Sequence, residues 1–108
     1  MRSADRRTLE SLKERLLAAD VPLLELWAFG SRVRGDFDHE SDIDVLLVLR
    51  ERTKDAEDRI DEIAWEVGAE AGYVVSTILR TGEQLAAPPY RSSALLDDIT
   101  VRGSKYDA

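Results

Sequence analysis

The sequence contains no cysteine. That excludes a disulfide framework, a thiolate nucleophile and any zinc site built on cysteine ligands. It has a single histidine, His39, so a multi-histidine metal site cannot form within one chain. Basic residues are in deficit, 15 against 22 acidic, which leaves a net charge of −7. Domains that hold nucleic acid by neutralising its phosphates carry the opposite sign, so no direct nucleic-acid groove is expected. An acidic surface suits metal ions or a basic protein face instead. Long apolar runs are missing as well. The longest, Val45 to Leu49, is far too short to span a bilayer. The opening residues, Met-Arg-Ser-Ala-Asp-Arg-Arg, lack the apolar stretch of a secretory signal. The expectation is a cytoplasmic protein with no membrane association.

What is present describes a folded domain. The chain is 44% apolar and 34% charged, a globular balance. At 108 residues it reads as one domain over 1–108, large enough to bury a core without disulfide or metal staples. No repeat or low-complexity segment marks a linker. Ser3 can cap a helix running to about Ala19, with Leu9, Leu12 and Leu16 on one face. Val21-Pro22 stops it. Leu23 to Phe29 is apolar on both faces apart from Glu25, the pattern of a central strand. Gly30 ends that strand, and a polar stretch from Ser31 to Ser41 follows. Asp42 to Leu49 reads as the next strand. Thr53 can cap a long helix to Ala71, with Asp55 and Glu57 in the first turn and Gly72 at its C-terminal end. Tyr73 to Leu79 is a third strand, rich in β-branched residues. Thr81 to Tyr90 is expected to be mostly loop, and Ala94 to Val101 a last short helix. Strands alternating with helices give an α/β domain.

The long helix carries a stripe of Ala56, Ile60, Ile63, Ala64, Val67 and Ala71 at helical spacing. Trp65 lies off it, about 140° around from Ile60. Two readings are open: a ring lying over a neighbouring loop, or an exposed aromatic anchor for a protein partner.

The chemistry-bearing segment runs from Gly30 to Val45, GSRVRGDFDHESDIDV. Asp42 and Asp44 are two apart, and on a strand such residues face the same side. Paired carboxylates there can share divalent cations, and Mg²⁺ takes oxygen ligands of this kind. Two such ions about 4 Å apart can clamp a phosphoryl transfer. Packing alone does not explain two same-face carboxylates opening an apolar strand, because buried charges need partners. Gly30 at a strand end lets the backbone approach a ligand closely, and N–H groups beside the Ser31 hydroxyl suit phosphate oxygens. Arg32 and Arg34 add forked cationic donors. If the two strands pair antiparallel, the end of the first and the start of the second share one sheet edge, and the two halves face a common cleft. A Gly-Ser pair alone is usually a turn, and a lone Asp-x-Asp is usually a solvated strand end. Together at this spacing they are expected by chance in about one chain in a thousand of this length.

Gly-Ser, ten residues, then Asp-x-Asp resembles the signature of the DNA polymerase beta-like nucleotidyltransferases. The form GSRVRGDFDHESDIDVLLVL is most similar to the minimal nucleotidyltransferases of prokaryotes. The resemblance extends over most of the chain in its order of elements. It implies a small mixed sheet flanked by helices, of α/β (α+β) class. It implies ATP or another nucleoside triphosphate as substrate, with two Mg²⁺ ions. Gly30 and Ser31 would lie at the phosphates, Arg34 would help hold the triphosphate, and Asp42 and Asp44 would hold the metals. Many such proteins pair with a helical HEPN partner as its antitoxin, and some transfer AMP to a tyrosine of that partner.

The chain departs from the family in one respect. Active members use a third carboxylate on the strand after the long helix, to bind one metal and help activate the attacking hydroxyl. Here that strand, Tyr73-Val74-Val75-Ser76-Thr77-Ile78-Leu79, has no acid. Ser76 is a neutral, weakly coordinating substitute, and Glu70 and Glu83 only flank the strand. The leading expectation is therefore nucleoside monophosphate transfer to a hydroxyl of a protein partner, in a homo- or hetero-oligomer. The alternative is a catalytically weak or inactive antitoxin of the same fold that acts by protein binding. The net charge argues against a polymerase, and the length leaves little room for a separate small-molecule acceptor domain.

Overall fold

A computed structural model describes residues 2–30, 42–87 and 104–107 of the chain. The elements in order are α1 (Ser3–Ala18), β1 (Leu23–Phe29), β2 (Ile43–Leu49), α2 (Lys54–Ala71), β3 (Val75–Thr81), the short α3 (Gly82–Ala86) and β4 (Ser104–Asp107). The strands form one sheet in the order β3-β2-β1-β4. β1 runs antiparallel to both β2 and β4, while β2 and β3 are parallel, joined through α2. The sheet is therefore mixed, with β1 and β2 in its interior as their apolar sequences require.

The sheet has two unlike faces. Ile43, Val45, Leu47 and Leu49 of β2 join Leu9, Leu12 and Leu16 of α1 and Ile60, Ala64 and Val67 of α2 in the main core. Both long helices thus cover one face. The other face carries a smaller cluster: Leu46 and Val48 are buried, with Trp27, Phe29, Ile78 and Leu85 packed partly buried against them. A bulge in β1 reconciles its sequence with this arrangement. The register slips between Leu23, opposite Leu49, and Glu25, opposite Val48. The extra residue lets Leu23 and Leu26, an odd number apart, both enter the main core.

The helix ends follow local chemistry. The Thr53 hydroxyl accepts the Ala56 N–H at 3.1 Å, capping α2 as expected. Gly72 takes the left-handed conformation (φ +86°), and its N–H donates to the Gly68 carbonyl at 2.8 Å. At α1, by contrast, the chain is still extended at Arg2, and Ser3 is already helical; no side chain caps this end. Asp20, with φ +59°, turns the chain out of α1 before Val21-Pro22. α3 replaces the first part of the loop expected over Thr81 to Tyr90. There the Thr81 hydroxyl accepts the Gln84 N–H at 3.0 Å, and the Gln84 side-chain oxygen accepts the Thr81 N–H at 2.9 Å. The helix expected over Ala94 to Val101 falls outside the described residues. Among the described residues no helix is long and apolar enough to cross a membrane.

β3 begins two residues later than its sequence suggests. Tyr73 belongs to the return from α2, and its N–H donates to the Gly68 carbonyl. Its hydroxyl lies 2.9 Å from Asp5 Oδ1 and 3.2 Å from Thr8 Oγ1. Asp5 is buried in the first turn of α1. This tie fastens the approach to β3 onto the N-terminal helix. The Ile43 N–H then donates to the Val74 carbonyl at 3.0 Å, which sets the β2–β3 register.

Candidate functional site

Antiparallel pairing brings the end of β1 and the start of β2 to one edge of the sheet. Phe29 stands opposite Asp44, so Gly30 follows β1 directly beside the first turn of the pleat in β2. Asp44 lies on the less covered face, in line with Leu46 and Val48, and is half-buried. Asp42 precedes β2 by one residue and is exposed. By the two-residue period of extended chain it belongs to the same face as Asp44.

Gly30 is required by its neighbour. Its φ of +86° lies in the left-handed region that glycine adopts freely. A Cβ at this position would collide with Asp44 Oδ2 and stand 3.2 Å from Asp44 Cγ. The Asp44 carboxylate thus occupies the space that any other residue at position 30 would fill. The glycine of the Gly-Ser pair and the second aspartate of the Asp-x-Asp pair, 14 positions apart in sequence, are in direct contact distance in space. Ser31 and Arg34, with Arg32 and His39, lie outside the described residues.

β3 supplies the third side of this edge. In the parallel ladder Asp44 pairs with Ser76, and both side chains belong to the same face as the paired Leu46 and Ile78. Ser76 is therefore the nearest β3 residue in register with the carboxylate. Neither flanking acid replaces it. Glu70 is paired with Arg15 of α1. Glu83 sits in the first turn of α3, beyond Thr81, which pairs with Leu49 at the opposite end of the strands. Among the described residues no group of three or more acidic or histidine side chains is gathered as a ready metal site. Among the described residues the donor set of this edge is two aspartates, with a serine in register beside them. Its hard oxygen donors, one of them exposed, are of the kind that divalent cations such as Mg²⁺ take.

Sequence reading missed two features that support the edge. The Tyr73–Asp5 tie joins residues 68 positions apart and left no local signal. β4 places Ser104 opposite Ala28, at the same end of the sheet, from a four-residue polar strand without alternation.

Comparison with known proteins places the fold in a family. A family model described as a nucleotidyltransferase domain matches residues 6–101. A bifunctional uridylyltransferase/uridylyl-removing enzyme of Pseudomonas putida (strain W619) is 32% identical over 88 residues, covering 78% of this chain. The corresponding enzyme of Pseudomonas entomophila (strain L48) is 32% identical over 84 residues, covering 74%. The chain spans about a tenth of the length of these curated relatives, 10% and 9%. Among solved structures, a toxin-antitoxin complex with AMP-PNP superposes with a TM-score of 0.57 at 19% identity, over 92% of this chain and 73% of that one. A structure of the toxin-antitoxin pair MntA-HpeT gives a TM-score of 0.57 at 20% identity, over 90% and 70%. These two likenesses show a shared fold. With the family match over most of its length, the chain belongs to the nucleotidyltransferase domain family.

Proposed function

We propose that this chain, as one domain over 1–108, is a minimal nucleotidyltransferase that transfers a nucleoside monophosphate to a hydroxyl of a protein partner. The partner is a helical, HEPN-type toxin, and the chain is its cytoplasmic antitoxin. The observation that carries the reading is the contact between Gly30 and Asp44 at one sheet edge, with Asp42 exposed beside them. The toxin-antitoxin neighbours support the partner, and the carboxylate-rich, net-negative chain supports a cation-bridged triphosphate.

In this reading the backbone at Gly30 and the Ser31 hydroxyl receive the phosphates of ATP or another nucleoside triphosphate. Arg34 neutralises part of their charge. Asp42 and Asp44 would hold two Mg²⁺ ions, which would supply charge neutralisation during the transfer. The partner's hydroxyl oxygen forms a bond to the α-phosphorus, the bond to the β-phosphate bridging oxygen breaks, pyrophosphate leaves, and the hydroxyl proton passes to solvent. With Ser76 in register with Asp44 there is no β3 carboxylate to take that proton, so the chain contributes by positioning and charge.

The serine in that place also favours a second reading, an antitoxin that binds the nucleotide and the partner but transfers little or nothing. One experiment separates the two. ATP labelled at its α-phosphate is incubated with Mg²⁺, the chain and a cell lysate or a HEPN-type protein, with wild type set against the double variant Asp42→Asn, Asp44→Asn. Label on a protein band, lost in the double variant, establishes transfer. Nucleotide binding by calorimetry without label establishes the binding-only antitoxin. Nucleotide binding that survives the double substitution unchanged removes the metal role of both aspartates.

A further inference from the structure

The helix α2 has a second apolar surface that the core does not use. Trp65 is 74% exposed and Val74 59%, the two most exposed of the large apolar residues described. Both line one open groove of about 480 Å³ between α2 and the start of β3, together with Ala69, Tyr73 and Thr77. β3 is the outermost strand on this side of the sheet among the described residues. A tryptophan this exposed adds little to the described core, and its ring is among the side chains most enriched at binding hot spots.

The charge around the groove says what it would receive. Four acids of α2 are ion-paired: Asp55 with Arg59, Glu57 with Arg52, Asp58 with Lys54 and Glu70 with Arg15. Three others, Asp61, Glu62 and Glu66, have no cationic partner among the described residues, and all three are exposed. They lie within about 100° of Trp65 around the helix. Asp61 lines the groove itself, while Glu62 and Glu66 lie on the other flank of Trp65, in a separate hollow beside Arg59. Such a surface is complementary to a segment that is apolar in the middle and cationic at its rim.

We infer that this groove is the docking surface for an amphipathic helix of a protein partner, with aliphatic side chains seated on Trp65 and Val74 and lysines or arginines facing Asp61 in the groove and Glu62 and Glu66 beyond Trp65. The inference rests on the partner in the proposed function, not on its chemistry. The groove also adjoins the candidate site. Val74 is two residues before Ser76, and its carbonyl accepts the Ile43 N–H at the start of β2. A helix held there lies beside the edge that carries Asp42 and Asp44, where an acceptor hydroxyl must arrive.

The test uses the full chain and two synthetic helix-forming peptides of one pattern, one leucine and lysine, the other leucine and glutamate. The lysine peptide is expected to bind and move tryptophan emission to shorter wavelength. Trp65→Ala should weaken it about tenfold or more, with the melting temperature held within about 2 °C. Val74→Ser is the second variant and should weaken it in the same direction. The triple change Asp61→Asn, Glu62→Gln, Glu66→Gln should weaken it and flatten its salt dependence. The glutamate peptide should not bind. Equal binding of both peptides, equal binding by the Trp65 and Val74 variants, or no binding at all overturns the inference. So does a wild-type dimer in sedimentation that Trp65→Ala dissolves, because a second copy then covers the face. Mg²⁺-dependent nucleotide binding is measured on the same samples. Its loss in wild type with peptide binding intact defeats the proposed chemistry and leaves the groove standing. Its retention in Trp65→Ala with peptide binding lost separates the two surfaces.

Discussion

The two faces of the sheet are built from the same strands and do different things. In β2, alternate residues Ile43, Val45, Leu47 and Leu49 enter a core of fifteen buried residues under α1 and α2. The residues between them run from Asp44, through Leu46 to Val48, into a cluster with two buried members. One face is closed by helices and carries the stability. The other starts polar at the Gly30 edge and becomes apolar only further along. The difference shows how a small domain can hold carboxylates at a strand end without burying their charge. The rigid element beneath them is paid for on the opposite face.

The comparison can be broken first by emptying the closed face. Leu47→Ala should cost about 3 kcal/mol, while Leu46→Ala on the other face should cost about 2 kcal/mol. Denaturant unfolding of both variants checks this. Equal costs would mean that the second face is packed as tightly as the first. The next effect is at the edge. Gly30→Ala forces a left-handed conformation on alanine and drives its Cβ into the Asp44 carboxylate. We expect a loss of about 2 kcal/mol in stability, and nucleotide binding should fall further than that loss explains. Binding that stays at the wild-type level would detach Gly30 from the site. The smallest change in stability belongs to Ser76→Asp. It sets a second carboxylate beside Asp44 in register and should cost about 0.5 kcal/mol without divalent cations. Mg²⁺ should restore that loss, and transfer of labelled nucleoside monophosphate should rise. No gain with the fold intact would mean that register alone does not complete the acceptor side.

Much of this was legible in the sequence where local chemistry decides the structure. β1 has the bounds its apolar run suggests, and Thr53 and Gly72 bracket α2 as their side chains dictate. Trp65, off the apolar stripe and open to two readings in the sequence, is 74% exposed among the described residues. Parts that depend on distant contacts were not legible. Tyr73-Val74 has strand-like residues, yet the Gly68 carbonyl and buried Asp5 hold Tyr73 in the return from α2. Ser104-Lys105-Tyr106-Asp107 has no alternation, and only the open edge of β1 makes it a strand. α3 is a different case: its capping pair, Thr81 and Gln84, is local in sequence but lies in a stretch that its glycine and prolines mark as loop. At the candidate site, spacing indicated that Gly30 and the aspartates belong together. It did not reveal that Asp44 rests against Gly30, because that depends on the β1–β2 register.

The pairing of β1 with β4 has a consequence for the order in which the molecule is made. Glu25 meets Asp107, so one side of β1 waits for a strand translated some eighty residues later. The Gly30–Asp44–Ser76 edge needs only β1, β2 and β3, which emerge well before it. The strands of the candidate site can therefore pair before β4 joins, and until it does one flank of β1 is an open row of backbone donors and acceptors. That interval is when this protein is most exposed to pairing with the wrong strand.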